Sequence, residues 1–193
     1  MPRVKLFDEN EVLCKAMNLF WKQGYSATSI QDLVDHLGIN RASIYDTFGG
    51  KEALFLKAFE NYKTSSTDAT SGFLKGQPNV KEGFRKLFEM AIDDSLNDPE
   101  KKGCFVVNTT TELIPGDEKI ESLVEENRKT VERIFYDYLK EGEESGQFEK
   151  GKDLSAIALL LFTHYSGLKV VAKVNADRQL LVKSVDQILT LLD

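Results

Sequence analysis

Apolar residues recur along most of this chain every three or four positions, the period of helices with one buried face. Val12, Leu13, Ala16, Met17, Leu19 and Phe20 form such a stripe over 8–23, and Gly24 ends it. Ile30, Leu33, Val34 and Leu37 form the next, followed by Gly38, a turn residue that tolerates positive φ. Thr28 is placed to cap that helix, with Gln31 three residues on. Ile39, Ala42, Ile44 and Phe48 give a second short helix its buried side and leave Asn40, Arg41, Ser43, Tyr45 and Thr47 on the other. Two short helices joined by a tight turn read as a helix-turn-helix, whose second helix enters the DNA major groove.

A fourth helix, from about Gly50 toward Leu74, turns Leu54, Phe55, Ala58, Phe59 and Tyr62 inward. Its stretch from Lys63 to Gly72 is rich in Ser and Thr, so tertiary contacts rather than propensity must support it. Beyond the break at 76–79, Val80, Phe84, Leu87, Phe88, Ala91 and Ile92 mark a strongly amphipathic helix. Residues 103–113 are apolar and β-branched, which propensity alone would allow as a strand. A short buried helix is the better reading, because a lone strand would have no partner. Pro115-Gly116-Asp117 opens a long helix to about Ser145; Asp153 caps one that is apolar nearly all round and needs burial on several sides; a last helix runs from about Asp177 to Leu192. The expected class is all-α, with about nine helices.

Charge narrows the picture. A net charge of −6 argues against a protein that coats nucleic acid indiscriminately. Even the first 55 residues set Arg3, Lys5, Lys15, Lys22, Arg41 and Lys51 against Asp8, Glu9, Glu11, Asp32, Asp35, Asp46 and Glu52. Any DNA-binding surface is therefore a local segregation of charge. Cys14 and Cys104 have neither metal-ligand nor disulfide-framework spacing, and Cys14 reads as an inert core thiol. The longest apolar run, 156–162, is far short of the ~20 residues that span a bilayer, and no signal peptide is visible, so a cytoplasmic protein with no membrane partner is expected. Two distant histidines, no Gly-rich phosphate loop and no clustered Cys and His leave no scaffold for catalysis, a metal or a cofactor.

The N-terminal third carries a more specific pattern. Gly24-Tyr25-Ser26-Ala27-Thr28-Ser29-Ile30, then Leu37-Gly38-Ile39, then Ile44-Tyr45, Phe48, Lys51-Glu52 and Leu54 resemble the TetR-family repressor signature in order and spacing. The resemblance implies a helix-turn-helix DNA-binding domain over 1–52 and a ligand-binding and dimerisation domain over 53–193. It also implies a homodimer through the last two helices, a palindromic double-stranded operator, and release by a small apolar or aromatic effector. Arg41 has the reach for guanine or phosphate; Tyr45 matches a tyrosine that donates to phosphate in the family. Asn40, Ala42, Ser43 and Thr47 share the recognition helix, and Thr28, Ser29 and Lys51 stand at helix starts that favour an anion. Asp46 departs from the family pattern and would repel phosphate.

For the effector, the candidates are Phe84, Phe88, Phe105, Asn108, Phe135, Tyr138, Phe162, His164 and Tyr165, an aromatic set with a few polar groups; plain core is the simpler account of most. Cys104 follows Lys101-Lys102-Gly103, and GCFVVNTTTEL looks like a segment of one family branch in which some members sense electrophiles through a cysteine. A redox or electrophile sensor is thus one alternative, against a buried structural thiol. A helical small-molecule-binding protein whose head no longer binds DNA is another.

Overall fold

The computed structural model describes residues 7–174 and 177–193; Arg3 and Lys5 of the head's charge tally lie outside them. The described elements are α1 (Glu9–Gln23), α2 (Ile30–Leu37), α3 (Arg41–Phe48), α4 (Lys51–Lys75), α5 (Val80–Asn97), α6 (Phe105–Leu113), α7 (Glu118–Glu144), α8 (Leu154–Val171) and α9 (Arg178–Leu189), with a 3-10 turn at Thr190–Leu192. Of the β-branched 103–113 segment, Phe105–Leu113 is helical rather than a strand.

Capping explains most of the boundaries. Asp8, Asn40, Asn79, Asp117, Asp153 and Asp177 each accept backbone N–H bonds in the first turn that follows. The start of α2 differs from expectation. Ser29, not Thr28, is the N-cap, and its box partner is Asp32 rather than Gln31. The Ser29 hydroxyl accepts from the Asp32 N–H at 3.0 Å and donates to the Asp32 carboxylate at 2.6 Å. That hydrogen bond holds the Asp32 carboxyl below its ordinary pKa. Thr28 is instead fully buried, donating its hydroxyl to the Gly24 carbonyl at 2.6 Å.

Two cores form. One gathers Ala16, Phe20, Leu33, Ile44, Phe48, Leu54, Phe55 and Phe59 from α1–α4, and adds Phe105 of α6 and Ile120 of α7. The other joins Leu74 of α4 to Phe84, Phe88 and Ile92 of α5, Phe135 and Leu139 of α7, Leu161 of α8 and Val185 and Leu189 of α9. The unbroken α4 therefore feeds both cores. Its polar middle is held tertiarily: buried Lys63 pairs with Glu60 at 2.9 Å and with Glu126 of α7 at 3.1 Å. Thr67 and Thr70 return their hydroxyls to carbonyls one turn back.

Three expectations are corrected. Cys14 is exposed, because it sits off the buried Val12–Ala16–Leu19 stripe of α1. Helix α8 buries one stripe only, Leu154, Ala158, Leu161 and Leu168, and leaves Leu159, Leu160, Val170 and Val171 nearly half exposed. And the 156–162 run understated that helix. Residues 163–171 extend the apolar window with Lys169 as its single charge, so by length and composition α8 matches a membrane span. Here it lies along α7 as part of the helical body.

Candidate functional site

The helix-turn-helix is built by small, specific choices. Gly38, in the left-handed region at φ +68°, turns the chain between α2 and α3. Asn40 then caps α3 by accepting the Ser43 N–H at 2.8 Å, so its carbonyl oxygen is engaged while its NH2 has no partner among the described residues. Ile44 and Phe48 bury one side of α3. Asn40, Arg41, Ala42, Tyr45 and Asp46 are exposed, with Ser43 and Thr47 half-exposed beside them.

The Arg41 guanidinium lies 5.8 Å from the centre of the Tyr45 ring. That ring rests over Gly50, where a Cβ would come within 3.1 Å of it; Gly50, at φ +104°, thus allows the tyrosine to lie against the start of α4. Lys51, the first residue of α4, sits 4.3 Å over the Tyr25 ring, so the ammonium and the free first-turn N–H groups of α4 share one end. Ser29 is exposed at the start of α2. The structure thus brings Ser29, Asn40, Arg41, Ala42, Ser43, Tyr45, Thr47 and Lys51 to the helix-turn-helix surface. Thr28 is the exception: with its side chain buried and its hydroxyl spent on Gly24, it has no surface to offer. Lys57, exposed one and a half turns beyond Lys51, was not anticipated; its ammonium is 5.6 Å from the Phe48 ring.

The aromatic candidates in the body separate into two groups. Phe84, Phe88 and Phe135 are fully buried in a ring cluster, with Phe84 edge-on to Phe135 at 5.1 Å and Phe88 stacked on Tyr165 at 5.6 Å. Tyr138 donates to the Gln77 and Asn79 carbonyls at 3.1 and 3.0 Å, and burial pushes its hydroxyl pKa up to about 12. These four are core. Phe105 belongs to the joint between head and body, within 5.5–6.1 Å of Trp21, Phe55, Phe59 and Tyr62. Asn108 secures the loop before α6 by donating to the Lys102 carbonyl. His164 packs against Phe88; its Nε2 is buried with no partner among the described residues, and burial lowers its pKa.

Phe162 and Tyr165 do line a cavity, of about 240 Å³, with Tyr62, Cys104, Val106, Val107, Val124, Asn127, Val131 and Lys169 among its walls. A larger space of about 450 Å³, walled partly by Trp21, Phe73, Leu87 and Met90, shares Tyr62, Ser66, Tyr165 and Lys169 with it. Tyr62, Tyr165 and Lys169 of this shared wall and Cys104 of the smaller cavity interact electrostatically. Burial raises the Tyr62 pKa. Burial opposes the Lys169 ammonium, and Tyr165, Cys104 and Tyr62 outweigh that opposition. Sequence reasoning passed over Lys169 and Asn127; the available signal was a lone cation on the otherwise apolar α8.

Head and cavity are joined by α6. Val106, Val107, Thr110 and Thr111 wall the cavity, while Glu112, on the same helix, accepts the Tyr25 and Ser26 backbone N–H groups at 3.0 and 2.6 Å. Lys119 adds a link to Glu52 at 2.9 Å. Among the described residues no group of acidic, His and Cys side chains is arranged to hold a metal ion.

Comparison with known proteins places this architecture. Residues 12–58 match the family described as bacterial regulatory proteins, tetR family, and residues 81–188 match the tetracyclin repressor-like C-terminal domain. The chain is 38% identical, over the full length of both, to the uncharacterized HTH-type transcriptional regulator YezE of Bacillus subtilis (strain 168). It is 27% identical to the HTH-type transcriptional repressor ComR of Escherichia coli (strain K12), covering 94% of this chain and 87% of that one. Among solved structures, a cysteine-substituted variant of the TetR-family regulator CifR, complexed with a 26-base-pair operator duplex, superimposes with a TM-score of 0.89 at 27% identity, covering 99% and 100% of the two chains. A helix-turn-helix that exposes Arg41 and Tyr45 on its second helix, joined to a cavity-bearing helical body and matched along its length by such relatives, makes this chain a member of the TetR family of DNA-binding transcriptional regulators.

Proposed function

We propose that the protein is a homodimeric repressor that leaves a palindromic operator when a small apolar or aromatic molecule fills its body. The observation that carries this reading is the continuity of α6 and α4: α6 walls the cavity and grips the head through Glu112, and α4 contributes to both cores. A ligand that favours wrongly spaced heads draws the population away from the DNA-competent state. The same reading divides the chain into a head over 1–52 and a body over 53–193, with α4, which contributes to both cores, as lever. Dimerisation through α8 and α9 is supported by the exposed Leu159, Leu160, Val170, Val171 and Leu180, an apolar face that a second copy covers, and a two-fold pair suits a palindrome. A repressor of this kind works in the cytoplasm. Ser29, Asn40, Arg41, Ala42, Ser43, Tyr45, Thr47 and Lys51 form the proposed DNA contact set.

The test is selection of bound fragments from a random duplex library at low and moderate salt. A recovered palindrome whose affinity falls with salt, and is lost in Arg41→Ala or reduced in Tyr45→Phe, supports the reading. A folded dimer that enriches no sequence ends it and returns the reading to a small-molecule-binding protein with a silent head. A second reading rests on Cys104, whose thiol lines the smaller cavity beside Tyr62 and Lys169: oxidants or electrophiles are the signal. A Cys104→Ser protein that still releases DNA on such treatment removes it.

A further inference from the structure

The smaller cavity is apolar along most of its wall, yet three of its polar side chains make no hydrogen bond among the described residues. Asn127 of α7 is only 6% exposed, and among the described residues its side-chain amide makes no hydrogen bond. The hydroxyls of Ser66 and Ser166, on the same wall, make none either. Buried polar groups are ordinarily satisfied, and an amide left open toward a cavity marks a position that a ligand completes.

The cavity's charge is equally one-sided. It has two cations, Arg128 and Lys169. Arg128 is spent: it donates to Glu125 at 2.6 and 2.7 Å and to Glu132 at 2.6 Å. Lys169 has no carboxylate within ion-pair distance among the described residues; its ammonium lies 4.2 Å over the Tyr165 ring. A half-buried ammonium with no carboxylate partner among the described residues, lining the same cavity as an unpartnered amide, calls for an anion that also accepts hydrogen bonds. The remaining wall, with Val106, Val107, Val124, Val131 and Phe162, calls for hydrocarbon.

We propose that this cavity binds a small apolar monocarboxylate, with its carboxylate held by Lys169 and Asn127 and its body against the valines and Phe162. This rests on the effector reading above and names the effector's chemical class. The size is consistent: a cavity of about 150 Å³ accommodates benzene, so about 240 Å³ takes one ring with a short carboxylate arm, or a chain of similar bulk.

The experiment titrates the full-length protein by calorimetry with benzoate, cinnamate and octanoate, each paired with a neutral analogue (benzamide, cinnamamide, 1-octanol). At least one acid is expected to bind tenfold or more tightly than its neutral partner. Lys169→Met should reduce that preference to near unity while the neutral partner's affinity is kept. Asn127→Asp, which places a charge like the ligand's own in the same cavity, should weaken the acid by tenfold or more in a protein whose circular dichroism matches wild type. Failure of every acid to bind, equal binding of acid and neutral analogue, or an undiminished preference in Lys169→Met overturns the proposal. Operator binding is read in parallel. An acid that binds with the expected preference but leaves operator affinity unchanged removes the effector function and leaves the site. A neutral analogue that binds and releases DNA does the reverse.

Discussion

Glu112 is the most economical place to test whether the body holds the head. Its two carboxylate oxygens accept the Tyr25 and Ser26 N–H groups at 3.0 and 2.6 Å, across the turn that leads from α1 to α2. Hydrogen bonds to a charged acceptor contribute about 1.5–3 kcal/mol when well shielded. Glu112 and Ser26 are exposed, however, so in the Glu112→Ala protein water replaces the lost acceptor and most of that value is recovered. A net loss of about 1–2 kcal/mol for the pair follows. In a chain of this size, each kcal/mol moves Tm by ~2–4 °C, so the expected fall is roughly 2–8 °C. Glu112→Gln retains one acceptor oxygen and should fall by about half as much. The same turn includes Gly24, at φ +85°, whose added Cβ would come 2.7 Å from the Glu112 carboxylate, so Gly24→Ala should displace this grip, add backbone strain and lower Tm by more than Glu112→Ala does. Calorimetry gives Tm, and fluorescence anisotropy on the selected operator gives the second readout: a looser head should bind DNA with less dependence on effector. A Glu112→Ala protein with unchanged Tm and unchanged effector response would refute the reasoning.

Other perturbations test separate parts of the structure. Gly83→Ala should destabilise the body by about 1–3 kcal/mol, the usual cost of overpacking, because its Cβ would collide with the Tyr138 hydroxyl that Gln77 and Asn79 hold in place; urea unfolding should show part of the loss recovered in the Gly83→Ala/Tyr138→Phe double variant, and additive losses would refute the contact. His164 is depressed by burial below its ordinary 6.5, so as pH falls through 6.5 the unfolded chain takes up the proton first and stability is lost. His164→Phe should therefore gain Tm relative to wild type at pH 5.5 compared with pH 7.5, and an equal difference at both would show that burial does not govern this histidine. Lys51→Ala should lower operator affinity across all sequences and reduce the salt slope by about one, whereas a change in sequence preference would place Lys51 at a base instead of a phosphate.

The sequence by itself determined a great deal here, because helices are local objects. The 3.6-residue recurrence of Val12–Phe20, Ile30–Leu37 and Val80–Ile92, with Asp, Asn and Gly at the ends, located the helices, since hydrogen bonds and caps within them close over a few residues. The helix-turn-helix was legible for the same reason: Gly38, Ile44 and Phe48 act within one short segment, and Arg41 and Tyr45 are exposed because their neighbours are buried. Where two local solutions compete, the sequence was less decisive. Thr28 and Ser29 can both cap, and only burial of Thr28 against α1 assigned the cap to Ser29. Aromatic type did not separate core from cavity wall, because Phe84 and Phe162 are alike until the packing of α5, α7 and α8 makes one a core ring and leaves the other beside a void. Nor did the sequence indicate that Glu112 would reach a turn 86 residues away, or that Asn127, Lys169 and Cys104 would share one wall. Those are meetings between distant segments, set by how the helices cross, and only the tertiary structure decided them.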